Sequence, residues 1–317
     1  MRGAFFRALL RLAEQDERIH LIVGDLGFGV VEDFAQRFPK RFLNVGVAEQ
    51  NMTGVAAGMA LSGKIVFTYS IANFPILRCL EQVRNDICYH NTNVKIVAVG
   101  GGFAYGSLGS THHATEDLAI MRALPQMAVV APGDPVEAEA ATEAVATHPG
   151  PCYLRLGRAG EAKVHHGQIH FQLGKAIQVH DGKDLTLIST GGLLETAVQV
   201  AESLRHTGLQ TRVLSMHTVK PLDSDAILTA ARETGAVFTL EEHSVVGGLG
   251  GAVAELLAEA SEGSIVFKRF GLPSAFSFVV GTQEYLRAQH GLSAEFLAAA
   301  IRSTLEKNRT LTVTTAG

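Results

Sequence analysis

The chain has 317 residues, of which 47% are hydrophobic and 18% charged, enough for sizeable cores in about two domains. Its net charge of −4 is spread over both signs, which argues against a nucleic-acid-binding surface. No apolar run reaches the roughly 18 residues of a membrane span, and the N-terminus lacks the pattern of a signal peptide. The cysteines, too few for a disulfide framework, indicate a reducing, cytoplasmic compartment: Cys79, Cys88 and Cys152.

In the first half of the chain, short apolar runs alternate with helical patterns. The predicted strands are Leu21–Val23, Phe42–Val45, Ile65–Tyr69, Val94–Val99, Ala128–Ala131 and Tyr153–Leu156. The clearest helices between them are Ala48–Leu61 and Pro135–Thr147. This alternation predicts a parallel sheet with helices on both faces.

A polar stretch without sustained periodicity, Gly157–Phe171, follows the first series and indicates a linker. We expect its histidines to be solvated: His165, His166 and His170. The strands of a second series are Leu185–Ser189, Thr211–Leu214, Ala236–Leu240 and Ile265–Phe267. Its helices are Leu194–His206, Ser224–Glu233, Gly251–Ala260 and Ser293–Glu306, and the tail RTLTVTTAG should fray.

The predicted fold class is therefore α/β, with two doubly wound domains built on mainly parallel sheets. Residues 1–160 form the first domain, 161–183 the linker and 184–317 the second domain. In the second domain, Glu241, Glu242 and His243 end a strand, and the GGLGG at 247–251 opens a helix whose N-terminus could bind an anion.

The most informative segment of the first domain is 44–60, NVGVAEQNMTGVAAGMA, where a strand, a glycine turn and a helix follow one another. Glu49 falls in the first helical turn, where a carboxylate commonly complements the helix dipole, worth about 0.3–1 kcal/mol. Gly54 and Gly58 lie four residues apart on one face and would let another backbone approach closely. From these residues alone, Glu49 is either a structural or a catalytic carboxylate.

This segment, extended to VGVAEQNMTGVAAGMALSG, resembles the pyrimidine-binding domain of transketolases. The resemblance continues through YSIANFPILRCLEQVRNDI, GSTHHATEDLAIMRALPQMAVVAPGDPVEAEAA and GPCYLRLGR. It resumes with STGGLLETAVQVAESL and FTLEEHSVVGGLGGAVAE, which are similar to the transketolase C-terminal domain. Several matched segments in the family's order are far more specific than one short motif.

The resemblance implies thiamine diphosphate as cofactor, with Glu49 hydrogen-bonded to its aminopyrimidine ring. A carboxyl group in an apolar site can share a proton with the ring nitrogen, which favours the tautomer that takes the thiazolium C2 proton. Phe74 lies where the family places an aromatic against the pyrimidine, although a core phenylalanine is the alternative. Ile71 and Leu77 replace positions that are often aromatic. Asp25 matches an aspartate near the cofactor, or is a turn residue.

Two further positions match residues that contact substrate in the family. His112 stands in GSTHH, similar to the family's GPTHQ-like segment, whose histidine contacts donor oxygens and can help to move a proton. Arg158 matches an arginine that binds substrate phosphate, a geometry that guanidinium groups favour. Arg155 and Arg78 are secondary candidates at the same mouth. A zinc site on His112 and Glu116 would require a helix there and lacks a nearby third ligand, so we predict no metal ligand on this chain.

The sequence departs from the family's sugar-phosphate apparatus in four places. Leu108 stands where an aspartate reads a donor hydroxyl, and Gly100 stands near a phosphate-contacting histidine. Gly29 replaces a serine, and His113 replaces a glutamine. The donor is therefore a ketose or, as an alternative within the family, a small 2-oxo acid used by an acyloin synthase or decarboxylase-like subunit.

The family's Mg²⁺- and diphosphate-binding segment, G-D-G…N-N, is not found in this sequence. Mg²⁺ prefers oxygen ligands shared with phosphates, so we expect its ligands on a separate N-terminal transketolase-like subunit. The resemblance thus implies a split enzyme, a two-plus-two heterotetramer in which this chain also self-associates. The active site would lie between subunits, consistent with the Gly54 and Gly58 face. A non-catalytic partner subunit is a third hypothesis, which the joint presence of Glu49, Phe74 and His112 opposes.

Overall fold

Six strands form a parallel sheet in the computed structural model, which describes residues 1–260 and 264–315. They are β1 (Ile19–Val23), β2 (Phe42–Asn44), β3 (Ile65–Ile71), β4 (Val94–Val99), β5 (Ala128–Val130) and β6 (Cys152–Leu156). Their spatial order is β5-β6-β4-β3-β1-β2, and every neighbouring pair is parallel. The central strands β4 and β6 are buried at every position, as expected when both faces of a parallel sheet are covered.

Helices cover both faces of this sheet. They are α1 (Arg2–Gln15), α2 (Glu32–Arg37), α3 (Glu49–Leu61), α4 (Phe74–Leu77), α5 (Leu80–Gln82), the π-helical turn Val83–Tyr89, α6 (Asp117–Ala123) and α7 (Pro135–Thr147). Helices α1 and α7 share one apolar core with β1 and β3, and α3, the π-helical turn and α6 share the other. Helix α1 is absent from our sequence prediction, which treated its residues as a short apolar patch.

A second sheet contains β7 (Ile177–His180), β8 (Leu185–Ser189), β9 (Thr211–Ser215), β11 (Ala236–Ser244) and β12 (Val266–Leu272), while β10 (Thr218–Lys220) lies outside it. Its order is β12-β11-β8-β9-β7, and only β7 is antiparallel to its neighbour. Its helices are α8 (Leu194–Arg205), α9 (Ser224–Thr234), α10 (Leu249–Ala260), α11 (Gln283–Gln289) and α12 (Ala294–Thr315). The α/β class with mainly parallel sheets is thus confirmed.

Two short strands alter the simple division of the chain. β7 lies within the segment that we expected to be linker, so the second sheet begins before residue 184. β10 leaves the second domain and pairs antiparallel with β5, where Thr218 faces Val130, giving the first sheet a seventh strand. Both strands have only three or four residues, too few for a sequence pattern to identify.

The ends of the predicted linker and tail also differ from expectation. His165 is buried rather than solvated, with its Nε2 atom 2.7 Å from Glu137 Oε1, whereas His166 and His170 are exposed. Burial opposes protonation of His165, but Glu137 outweighs it and raises the pKa of the imidazole. Backbone residues 309–315 of the tail continue α12, and residues 316–317 lie outside the described residues.

A buried ion pair joins the two domains behind the site. Arg155 on β6 donates from Nε to Asp117 Oδ2 at 2.7 Å and from Nη2 to the carbonyl of Glu242 on β11 at 3.0 Å. Its side chain is 5% exposed and that of Asp117 is 1% exposed. The prediction that Arg155 lies at the mouth of the site is therefore wrong, because its guanidinium group is enclosed between the domains.

We expect Asp117→Asn to lower the free energy of unfolding by about 3–5 kcal/mol, because it leaves the Arg155 charge buried without a counter-charge. Urea denaturation followed by circular dichroism measures this loss. Asp33→Asn, on an exposed position of α2, is the matched control and should change stability by less than about 0.5 kcal/mol. Equal stability of the two variants would contradict the structural role of the pair.

Within residues 1–260 and 264–315, no helix combines the length and apolar character that crossing a membrane requires.

Candidate functional site

The candidate site lies at the carboxyl edge of the first sheet, where loops follow parallel strands and binding sites commonly form. Glu49 opens α3 just after β2 and is 1% exposed. Its Oε2 atom accepts a hydrogen bond from Arg78 Nη1 at 2.6 Å. Its Oε1 atom has no hydrogen-bond donor among the residues that the structure describes. Arg78, which the sequence predicts at the substrate mouth, is thus a partner of the buried carboxylate.

A row of planar side chains runs from Arg78 to the other end of the site. The Arg78 Cζ atom lies 5.0 Å from the centroid of the Phe74 ring, at the start of α4. Phe74 packs edge-to-face against His112, with their centroids 5.3 Å apart. His112 lies 6.3 Å from the Tyr105 ring, and the Arg158 Cζ atom lies 5.1 Å from that ring on its other side. We call these five residues the aromatic row.

The loop that carries His112 is held in place by hydrogen bonds. Asn73, next to Phe74, donates from Nδ2 to the carbonyls of Thr111 at 3.1 Å and His113 at 2.8 Å. The Thr111 hydroxyl lies 2.9 Å from His112 Nδ1 and fixes that nitrogen. The Nε2 atom of His112 is therefore the ring nitrogen left to face a substrate, a tautomer-dependent role.

The remaining predicted residues surround the row at different distances. Asp25 is exposed and pairs with Asn44, whose Nδ2 atom donates to Asp25 Oδ1 at 3.0 Å. Its neighbour Gly24 touches the buried carboxylate, since a Cβ atom there would lie 3.6 Å from Glu49 Cγ. Ile71 ends β3 and packs against the first core, and Leu108 is 53% exposed in the turn after Tyr105.

Two alternative sites inferred from the sequence are not formed. His112 and Glu116 do not share a helix, because α6 begins only at Asp117, so the proposed zinc pair lacks its geometry. The N-terminus of α10 is already occupied by Glu241, which accepts from the amides of Leu249 at 2.7 Å and Gly250 at 2.8 Å. Burial raises the pKa of this carboxyl group.

Sequence reasoning missed Tyr105 altogether. Its ring occupies the space beside Gly100, where the family has a histidine, and links His112 to Arg158. The signal was present in the sequence as a glycine run followed by a tyrosine, GGGFAY, but its contacts depend on loop conformation.

One side of the site is open. Added Cβ atoms at Gly54 and Gly58 on α3 would meet nothing within 4 Å. Exposed apolar side chains border the row on the same chain: Val47, Leu77 and Leu108. Within the described part of the chain, no group of three acidic, histidine or cysteine side chains could hold a metal ion.

The residues present fit the aminopyrimidine part of thiamine diphosphate. A buried carboxylate with an uncommitted Oε1 atom can accept from a heteroaromatic ring, and the half-buried Phe74 offers a phenyl face for stacking. Glu49 and Phe74 would hold that ring. The aromatic row lacks the clustered carboxylate and amide oxygens that suit Mg²⁺ and a diphosphate.

Comparisons with known proteins agree with this geometry. Residues 1–160 match the model of the transketolase pyrimidine-binding domain, and residues 174–296 match that of the transketolase C-terminal domain. A subunit of the apulose-4-phosphate transketolase of Phocaeicola vulgatus is 42% identical, over 93% of this chain and 94% of its own. The 6-deoxy-6-sulfo-D-fructose transketolase subunit SqwH of a Clostridium species is 40% identical, over 97% and 95%.

A solved structure described as a split-gene transketolase, an inactive β4 tetramer, superposes with a TM-score of 0.87. It is 40% identical to this chain and matches 96% of this chain and 97% of its own. The likeness therefore spans both domains and the whole candidate site.

Proposed function

The chain belongs to the transketolase family, and from this premise we propose that it is one subunit of a split enzyme that transfers a two-carbon ketol unit from a ketose donor to an aldehyde acceptor. It is a transferase subunit of carbohydrate metabolism, acting on aldehyde or ketone residues in the cytoplasm. The observation that carries this proposal is the buried Glu49 carboxylate beside Phe74 and His112.

The need for a partner subunit is supported by two kinds of observation. Two similar proteins are named as subunits of transketolases, and the similar solved structure, a tetramer of β subunits, is described as inactive. The open glycine face of α3 would admit the backbone of another subunit. The N-terminal transketolase-like subunit would supply the diphosphate and Mg²⁺ ligands in a two-plus-two heterotetramer.

The residues of this chain have distinct tasks in that assembly. Thiamine diphosphate, when bound, supplies the nucleophilic carbon and the electron sink. Glu49 holds a proton at the ring nitrogen of the aminopyrimidine through Oε1, and Arg78 fixes the orientation of the carboxylate from the Oε2 side. Phe74 supports the ring by stacking, and Asp25 and Ile71 border the same cofactor side. His112 contacts donor oxygens through Nε2 and can relay a proton to or from the substrate.

The substrates that we favour carry an anionic group. The two similar subunits are named for a sugar phosphate and a sulfo sugar. Arg158 offers the planar guanidinium group that pairs with such anions, and Leu108 replaces the family's aspartate, which removes a negative charge nearby. Leu108 also favours the second candidate, an acyloin synthase or decarboxylase-type subunit using a 2-oxo acid, because such a donor has no sugar hydroxyl for an aspartate to read.

A donor screen with the assembled enzyme tests the proposal. This chain, its N-terminal partner, thiamine diphosphate and Mg²⁺ are combined with either ketoses or pyruvate, and products are followed by mass spectrometry. We expect acceptor aldehydes to gain two carbons from ketoses without release of CO2. Turnover of pyruvate with CO2 release, and none of ketoses, would establish the 2-oxo acid reaction instead.

A further inference from the structure

The space beside Gly100 is filled by an aromatic ring from the following loop. Gly100 comes directly after β4 with a φ of +92°, a conformation that favours glycine. A Cβ atom built there would lie 2.2 Å from Tyr105 Cε2 and 2.3 Å from Cδ2. A histidine at position 100 and the present Tyr105 ring therefore exclude each other, and the glycine is what admits the ring.

The loop that carries Tyr105 is tied down on both sides. Gly102 and Ala114 exchange two backbone hydrogen bonds, at 2.8 Å and 2.9 Å. The amide of Leu108 donates to the carbonyl of Tyr105 at 2.9 Å, which closes the turn. The ring is thus held against the strand end.

The Tyr105 hydroxyl has chemistry to offer a ligand. No residue within 1–260 or 264–315 forms a hydrogen bond with it. Burial raises the pKa of this half-buried phenol, so near neutral pH it remains an O–H donor. The Arg158 guanidinium group lies over the same ring, and His112 lies on its other side.

We infer that Tyr105 is a specificity-determining residue, whose hydroxyl donates to the anionic group of the substrate beside Arg158 and takes over the position of the family histidine lost at Gly100. The inference rests on the proposed function, because it places this group at the mouth of the same site. The ligand class is a tetrahedral oxyanion on a ketose, either a phosphate monoester or a sulfonate. One guanidinium group and one neutral donor make a subsite with a single fixed positive charge.

Tyr105→Phe in the assembled enzyme tests this inference, because it removes only the hydroxyl. Binding of three probes is measured by calorimetry in a Glu49→Gln background, where the donor is not consumed: D-fructose 6-phosphate, 6-deoxy-6-sulfo-D-fructose and D-fructose. We expect Kd to rise about ten- to a hundredfold for the anionic probes, the range for hydrogen bonds to charged groups, and to change little for D-fructose. In the otherwise wild-type complex, KM should rise by a similar factor while kcat stays within about twofold.

Tyr89→Phe is the matched control, since Tyr89 is 80% exposed and lies before β4, at the opposite edge of the sheet. It should leave all three affinities unchanged. A loss confined to one anionic probe also supports the inference and identifies the anion that the subsite reads. Unchanged affinities, equal losses for all three probes, or no binding of any probe by the parent complex would overturn it. Binding with the expected losses but without ketol transfer would instead refute the proposed function alone.

Discussion

Glu49→Gln should reduce turnover of the assembled enzyme about a hundred- to ten-thousandfold, the range contributed by a positioned general acid–base group. The amide nearly preserves the shape of the carboxyl group but cannot hold a proton for the ring nitrogen of the aminopyrimidine. Because the side chain is 1% exposed and paired with Arg78 at 2.6 Å, water cannot readily replace it. Initial rates and exchange of the thiamine C2 proton measure the loss.

The fold of this variant should survive, since the change is nearly isosteric and Arg78, 47% exposed, can be solvated when its partner becomes neutral. Glu17→Gln is the matched control, because Glu17 is exposed and precedes β1 at the edge of the sheet opposite the site. Near-normal activity of Glu49→Gln, with Glu17→Gln equally active, would remove Glu49 from the mechanism.

The isolated chain should bind thiamine diphosphate with Mg²⁺ at least about a hundredfold more weakly than the complex with its partner. Hydrogen bonds to charged groups contribute about 1.5–3 kcal/mol each, and each 1.4 kcal/mol is tenfold in affinity, so losing two phosphate contacts accounts for that factor. The aromatic row can hold a pyrimidine, but the described residues include no group of three ligands for the metal. Calorimetric titration into the chain alone, and then into the complex, measures the difference.

The titration has a clear opposite outcome. Tight binding by the isolated chain that disappears on removing Mg²⁺ would mean that this chain completes a cofactor site by itself. The split-enzyme proposal would then be wrong, whatever the activity of Glu49→Gln. Weak binding that is insensitive to Mg²⁺ would match a site that holds the pyrimidine end only.

Long periodic elements were predictable from the sequence because their patterns are local. Val94–Val99 and Pro135–Thr147 have the predicted bounds in the structure, the latter helped by Asp134, which accepts from the amide of Glu137 and precedes a proline at the first helical position. β10 was not predictable, since its three residues form a strand only because β5 offers an edge in another domain.

The candidate site was predictable in membership but not in contacts. The resemblance selected Glu49, Phe74, His112 and Arg158, and the structure joins the last three through the aromatic row. It did not indicate that Arg78 pairs with Glu49, because that contact depends on how α4 packs against the start of α3. These side-chain contacts are set by tertiary packing, which no local pattern encodes.

The strand that crosses between the domains restricts how the enzyme can open. β10 is hydrogen-bonded into the first sheet, the amide of Ala131 donates to the carbonyl of His217 at 2.7 Å, and the Lys220 ammonium group donates to the carbonyl of Arg122 at 2.9 Å. A hinge between the domains would have to break these bonds together with the buried Arg155 pair. Entry and exit of ligands should therefore depend on loops or on separation of subunits, while this chain moves as one block.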